Sequence, residues 1–226
     1  MPLSSPRFSE IVSDLSGQYS ADIILQNSFG VIHKYLIENP DRLSWRGNPP
    51  DLNTEAGISS LGTKYFAAYR KSDFPALPAT VPDQMVSIVM HAAYGYSLEE
   101  CEGIKLTHQQ SMCAENAVGA LLERYIDSVL REHGWHWCCG SFVKAIDFIK
   151  ESNNGTWYEL QIKNRDNSEN SSSSAIRNHT NIQKWFRTKS RTGEPNWNNL
   201  PPLMQGHGLS ETGFKAFVEN YLRNNQ

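Results

Sequence analysis

A chain of 226 residues with 39% hydrophobic and 20% charged residues has enough apolar content to bury a sizeable core, so one folded domain, or one with a small appendage, is expected. The formal net charge of −3 argues against indiscriminate coating of nucleic acid, which needs many Lys and Arg facing phosphates, but it leaves room for a local basic cleft. Cys101, Cys113, Cys138 and Cys139 form no CxxC pair, which gives neither a disulfide framework nor a familiar zinc pattern and fits reduced thiols in a cytoplasm. The N-terminus lacks the basic and then apolar run of a signal peptide, and no apolar run approaches a membrane span, so a soluble, cytoplasmic protein without a membrane partner is expected.

Apolar residues recur at helical spacing from Ser9 to about Glu38, with Gly30 as an irregularity, and predict two helices. Asn39 to Asp51 is turn chemistry. Further helices are expected near Ile58 to Arg70 and from Pro82 to Tyr94, separated by the breaker PALPATVP. Residues 1–100 thus read as a helical N-terminal region packed on a core formed by 101–226, a scaffold or dimer surface.

Thr107-His108-Gln109-Gln110 has the form of a capping box, and Val118, Leu121, Leu122, Tyr125, Ile126, Val129 and Leu130 follow on one stripe, so a long helix is expected from about Thr107 to His133. Glu115, one turn before Val118, is either an exposed residue favoured by the helix dipole or a carboxylate leaning into a metal site. Gly134 stops the helix, and WHWCCGSFVKAIDFIK reads as extended. ESNNGT is a hairpin turn, WYELQIKNR a second strand, and the segment ending in Ile182, Trp185 and Phe186 a short helix. Phe214, Phe217, Val218, Tyr221 and Leu222 mark a C-terminal amphipathic helix. This order of elements is that of an α/β protein with a mixed central sheet flanked by helices.

The hairpin carries the chemistry. Alternation puts Trp157, Glu159, Gln161 and Lys163 on one face of the second strand, with successive members roughly 7 Å apart. Asp147 on the preceding strand lies alongside. Hydrolysing a phosphodiester calls for a hard cation to polarise the phosphate, and Mg²⁺ takes oxygen ligands from one or two carboxylates while keeping several waters. Asp147 is the first candidate ligand, Gln161 offers a neutral carbonyl oxygen, Glu115 is a further candidate, and Lys163 is suited to orienting water or stabilising charge on the phosphate. An ordinary hairpin with a solvated polar side would carry the same residues.

Asp147 and the Gln161-Ile162-Lys163 unit resemble the site of the PD-(D/E)XK nuclease superfamily, with Ile146 in place of the proline and Gln161 in the acidic position. An alternative register takes Glu159-Leu160-Gln161 as that unit, and Glu159 is expected to act as a further ligand or neighbour. The run ELQIKNRDNSENSSSSAIR, followed by IQKWFR and TGEPNW, resembles type II restriction endonucleases of the SinI and AvaII group. The resemblance implies Mg²⁺-dependent cleavage of double-stranded DNA at a short palindrome, GG(A/T)CC in that group, by a homodimer whose host is protected by a cognate DNA methyltransferase.

Lys163, Arg165, Arg177, Lys184, Arg187, Lys189 and Arg191 stand against Asp166 and Glu169, so basic charge gathers beside the hairpin. Asn and Arg suit base edges while Ser suits phosphate, which makes Asn164, Arg165, Asn167, Ser168, Asn170, Ser171, Arg177, Asn178, His179, Lys184 and Arg187 the expected DNA-binding residues. Competing readings are a repair or junction nuclease on the same core and a DNA-binding module that does not cleave. A zinc module at His133, His136, Cys138 and Cys139 is disfavoured, because adjacent cysteines chelate one metal poorly.

Overall fold

The computed structural model describes residues 5–76, 80–166 and 180–225. Helices α1 (Ser5–Gln18), α2 (Ile23–Glu38), α3 (Glu55–Arg70), α4 (Gln84–Tyr94) and α5 (Leu98–Leu130) form the first half. Strands β1 (His136–Trp137), β2 (Phe148–Glu151), β3 (Trp157–Arg165) and β4 (Gln183–Thr188) follow, and α6 (Glu211–Asn224) closes the chain. Polar side chains start the helices by taking orphan amide protons: Asp22 accepts from Leu25 N, Thr54 from Gly57 N and Ser210 from Gly213 N.

Helix α5 begins earlier than its sequence suggests. Ser97 and Glu100 form a complete capping box, whereas the Thr107 hydroxyl donates to Gly103 O at 3.0 Å inside the helix and caps nothing. The helix runs for 33 residues before Gly134, at φ 76, turns the chain into β1.

The four strands form one mixed sheet in the order β1-β2-β3-β4, antiparallel except for the parallel pair β3 and β4. The expected helix ending near Arg187 is instead strand β4. Ile182, Trp185 and Phe186 have helical spacing, but the backbone pairs with β3, placing Trp185 beside Ile162, and the indole N–H donates to Asn196 O. A ladder beside a buried partner overrides a short ambiguous pattern. The chain is therefore a mixed α/β protein with a largely helical first half.

Phe148, Ile149, Leu160, Ile162 and Trp185 bury the sheet in an apolar cluster that extends from Ile11 to Phe214. Aromatic rings of α2 and α3 fill its far side, with Phe29 and Phe66 at 5.4 Å. Tyr125 of α5 ties down α6 by packing on Phe214 and Phe217 and accepting a hydrogen bond from Ser210 N.

One loop joins the helical half to the sheet. Ser44 N donates to Phe142 O and Lys144 N to Arg42 O, so the residues after α2 pair with those leading into β2. Truncating Trp185 to Ala should cost about 3–5 kcal/mol in chemical denaturation, because it empties the core where β3 meets β4. A loss below about 1 kcal/mol would contradict this packing.

Candidate active site

Asp147 sits immediately before β2, where the chain emerges from the left-handed Ala145 at φ 57. Its backbone is fixed on both sides: Cys138 N donates to Asp147 O at 2.8 Å and Asp147 N donates to Leu160 O at 2.9 Å. Side-chain Oδ2 accepts from Ile162 N at 2.6 Å, so this carboxylate stands in for a strand carbonyl just before β2 begins. The bond anchors Asp147 between Gln161 and Lys163, the two polar neighbours of Ile162 in β3.

The second carboxylate is Glu123 of α5. Its Oε2 accepts from Trp137 Nε1 at 2.9 Å, which aims the side chain at the sheet. Desolvation, then the negative charge of Asp147, pushes the Glu123 pKa up to about 8, against the pull of Trp137 and Lys163. Desolvation likewise raises Asp147 to about 6, opposed by the Ile162 amide and Lys163. Asp147, Glu123 and Glu159, in that order after burial, also raise the Cys138 thiol well above its ordinary value.

Glu159 is committed elsewhere. Oε1 accepts from the Tyr35 hydroxyl at 2.5 Å and Oε2 pairs with Arg42 at 2.9 Å, both groups largely removed from solvent. The row expected on β3 therefore divides: Glu159 is clasped by α2 and its following loop, Gln161 is buried at 2% exposure, and Lys163 acts electrostatically on Asp147 and Glu123. Lys184 lies beside Gln161 in the parallel ladder.

Glu115 does not join this group. It is exposed, eight residues before Glu123 on the same helix and roughly 12 Å away along the axis. Sequence reasoning missed Glu123. With Arg124 it falls between Leu122 and Tyr125 as a polar residue of an ordinary amphipathic helix does, so the pattern alone does not single it out.

Of the expected DNA-binding residues, Arg165 is exposed at the end of β3. Asn164 and Arg187 bond each other at 2.9 Å, and Arg187 also pairs with Glu211 at 2.7 Å, so both brace β3, β4 and α6. Asn167, Ser168, Asn170, Ser171, Arg177, Asn178 and His179 lie outside the described residues. At the disfavoured zinc module, Cys138 and Cys139 are buried, His136 Nδ1 contacts Ser28 Oγ, and His133 stacks on His207 at 3.9 Å. No group of three or more His, Cys, Asp or Glu with metal-holding spacing occurs among the described residues.

A family model described as SinI restriction endonuclease matches residues 12–224. Over 202 residues the chain is 52% identical to the type II restriction enzyme Eco47I of Escherichia coli, covering 88% of this chain and 87% of that one. Over 205 residues it is 49% identical to the type II restriction enzyme SinI of Salmonella infantis, covering 88% of each. The class is therefore that of site-specific deoxyribonucleases of the type II restriction kind. Within that class the chain belongs to the SinI restriction endonuclease family.

Two expectations follow from the geometry. Arg42→Ala leaves Glu159 in its enclosed place without a counter-charge and should cost about 3 kcal/mol, whereas the double change Arg42→Met, Glu159→Leu should cost less. Chemical denaturation of the three proteins checks this; equal losses would refute the clasp.

The second concerns pH. Because burial raises the carboxyls of Glu123 and Asp147 above their ordinary 4.5 and 3.8, the folded state binds more protons than the unfolded chain up to about pH 8. Their contribution to stability falls as pH rises through that window. In chelator, the unfolding free energy of Glu123→Gln relative to the parent should therefore increase from pH 5 to pH 8. A constant or decreasing difference would reject the desolvated carboxylate.

Proposed function

We propose that this endonuclease hydrolyses double-stranded DNA in a Mg²⁺-dependent reaction at the site bounded by Asp147, Glu123, Gln161 and Lys163, on a core of the PD-(D/E)XK type. The observation that carries this reading is geometric: Asp147 is held by the Ile162 amide between Gln161 and Lys163 while Trp137 fixes Glu123 of α5 toward the same sheet, and burial raises both carboxyls. Such a pair is poorly compensated by protein alone and suits a divalent cation.

The donor set fits Mg²⁺, which needs only one or two carboxylates and retains water in its remaining positions. Asp147 and Glu123 would hold the ion, with the Gln161 carbonyl as a neutral neighbour. Bound there, the cation would supply Lewis-acid polarisation of the phosphate and a more acidic water. Lys163 would offset the negative charge that grows on the phosphate and orient the attacking water through its ammonium. Glu159, through Arg42 and Tyr35, fixes the strand that carries Gln161 and Lys163.

Exposed Arg165, and Lys184 beside Gln161, are proposed to meet the DNA backbone, and the Asn/Ser-rich residues 167–179 to supply base readout. The resemblance to the SinI and AvaII group suggests GG(A/T)CC as the target. A palindrome favours two copies related by two-fold symmetry, one for each strand. Residues 1–100 would act as a scaffold for the core in 101–226, and a DNA methyltransferase would be the functional partner that protects the host. The free thiols of Cys101, Cys113, Cys138 and Cys139 support action in a reducing cytoplasm.

Incubation with plasmid of known sequence should give a discrete fragment ladder with Mg²⁺ and none with chelator, with mapped ends defining the target. Asp147→Ala, Lys163→Ala and Glu123→Gln should each lower cleavage at least about 1000-fold while DNA binding stays within about tenfold. Glu115→Gln should cut within about twofold of the parent. An Asp147→Ala protein that cuts as fast as the parent would overturn the assignment, and random nicking would favour a repair nuclease.

A further inference from the structure

Strand β1 is only two residues long, yet it reaches both acidic residues of the candidate site. Trp137 donates its indole N–H to Glu123 Oε2 at 2.9 Å, and the next residue, Cys138, donates its amide to Asp147 O at 2.8 Å. Trp137 also pairs with Phe148, the residue after Asp147, in the ladder between β1 and β2. One short segment therefore ties the helix that carries Glu123 to the backbone that carries Asp147.

The indole has little freedom of its own. It is 5% exposed, with the Tyr69 ring edge-on at 5.7 Å and the Arg124 guanidinium over its face at 5.1 Å. Arg124 is in turn fixed from both sides: it is ion-paired with Asp73, donates to Tyr69 O at 2.8 Å and lies over the Tyr221 ring of α6 at 5.8 Å. The Tyr221 hydroxyl accepts from Asp73 N at 3.0 Å, which closes the circle of contacts. The end of α3 and α6 thus hold Arg124, and Arg124 holds the indole.

A phenyl ring would fill most of this space, so packing alone does not call for the N–H. An indole N–H only donates. It can hold a carboxylate oxygen without adding a metal ligand, whereas Ser, Asn or His in its place would also offer a lone pair. Glu123 Oε1 takes no hydrogen bond among the described residues, so one oxygen of this carboxylate is bound by the protein and the other is open.

We propose that Trp137 is a positioning residue for the cation: its N–H, locked by Arg124, holds Glu123 Oε2 so that Oε1 is presented to the ion beside Asp147. The proposal rests on the metal-dependent reading above and deepens it. A hydrogen-bond partner behind a metal ligand fixes the ligand's orientation, and its loss typically weakens metal binding about 10- to 100-fold.

Calorimetric titration of the full chain with Mn²⁺, without DNA, tests this. Trp137→Phe keeps an aromatic ring, loses the N–H and should weaken Mn²⁺ binding at least about tenfold. In plasmid cleavage the same change should raise the half-saturating Mg²⁺ about tenfold and lower the rate at saturation by less than that. Arg124→Lys keeps the charge opposite Asp73 but loses the plane over the indole; it should weaken Mn²⁺ binding at least about threefold, and it decides the matter should Trp137→Phe fail to fold. Added to Glu123→Gln, Trp137→Phe should change Mn²⁺ binding by less than about twofold, because the group it positions is already gone.

A folded Trp137→Phe protein, or an Arg124→Lys protein, that binds Mn²⁺ as tightly as the parent would overturn the positioning role. An undiminished Trp137→Phe effect in the Glu123→Gln background would overturn it too, since only a structural role acts independently of Glu123. A parent that binds no Mn²⁺, or a Glu123→Gln protein that binds it as tightly as the parent, would refute the site reading itself and the positioning role with it.

Discussion

The candidate site depends on holding two carboxyl groups in half-buried places where burial opposes their ionisation. Glu123 and Asp147 arrive from different elements, a helix and the residue before a strand, and desolvation raises both. Folded proteins avoid this arrangement unless something compensates. Here the compensation is partial: Trp137 and the Ile162 amide each donate a hydrogen bond, and Lys163 contributes positive charge. The remaining cost is held by the surrounding structure, which anchors Asp147 through its own backbone and side chain at three points.

That anchoring explains why a predominantly helical half precedes the sheet. The loop after α2 pairs with the residues leading into Asp147, and the same loop presents Arg42 to Glu159. Tyr35 of α2 bonds the other oxygen of Glu159. The helices therefore fix the strand entry and the register of β3 together, and a shift of either would move Asp147 relative to Lys163. Electrostatically, Glu159 belongs to this clasp, although its residue type and its place on β3 suit a ligand equally well.

Much of this architecture is legible in the amino-acid sequence. Helical periodicity marks α1 to α4 and α6, and alternation along WYELQIKNR marks β3 with Leu160 and Ile162 turned into the core. Where sequence and structure part, the causes are physical. The first half of α5 lacks a clear core-facing stripe because it packs chiefly on α4, so a local Thr-to-Gln pattern inside the helix resembles its start. Strand β4 is obscured because six residues with Trp185 and Phe186 three and four places after Ile182 fit both periods. The partner of Glu159 lies 117 residues away, and no local pattern encodes it. Glu123 is hidden among apolar residues that are themselves the reason its carboxyl is desolvated.

Helix α5 carries two loads. Its N-terminal half supports α4, while its C-terminal half carries Glu123. Cys101 beneath α4 and Glu123 are 22 residues apart, a rise of roughly 33 Å along one continuous helix. A helix transmits position far more rigidly than a loop. The carboxyl of Glu123 is therefore placed by the packing of a whole helix against α4 and the sheet, whereas Asp147 is placed by the hydrogen bonds of its own short segment.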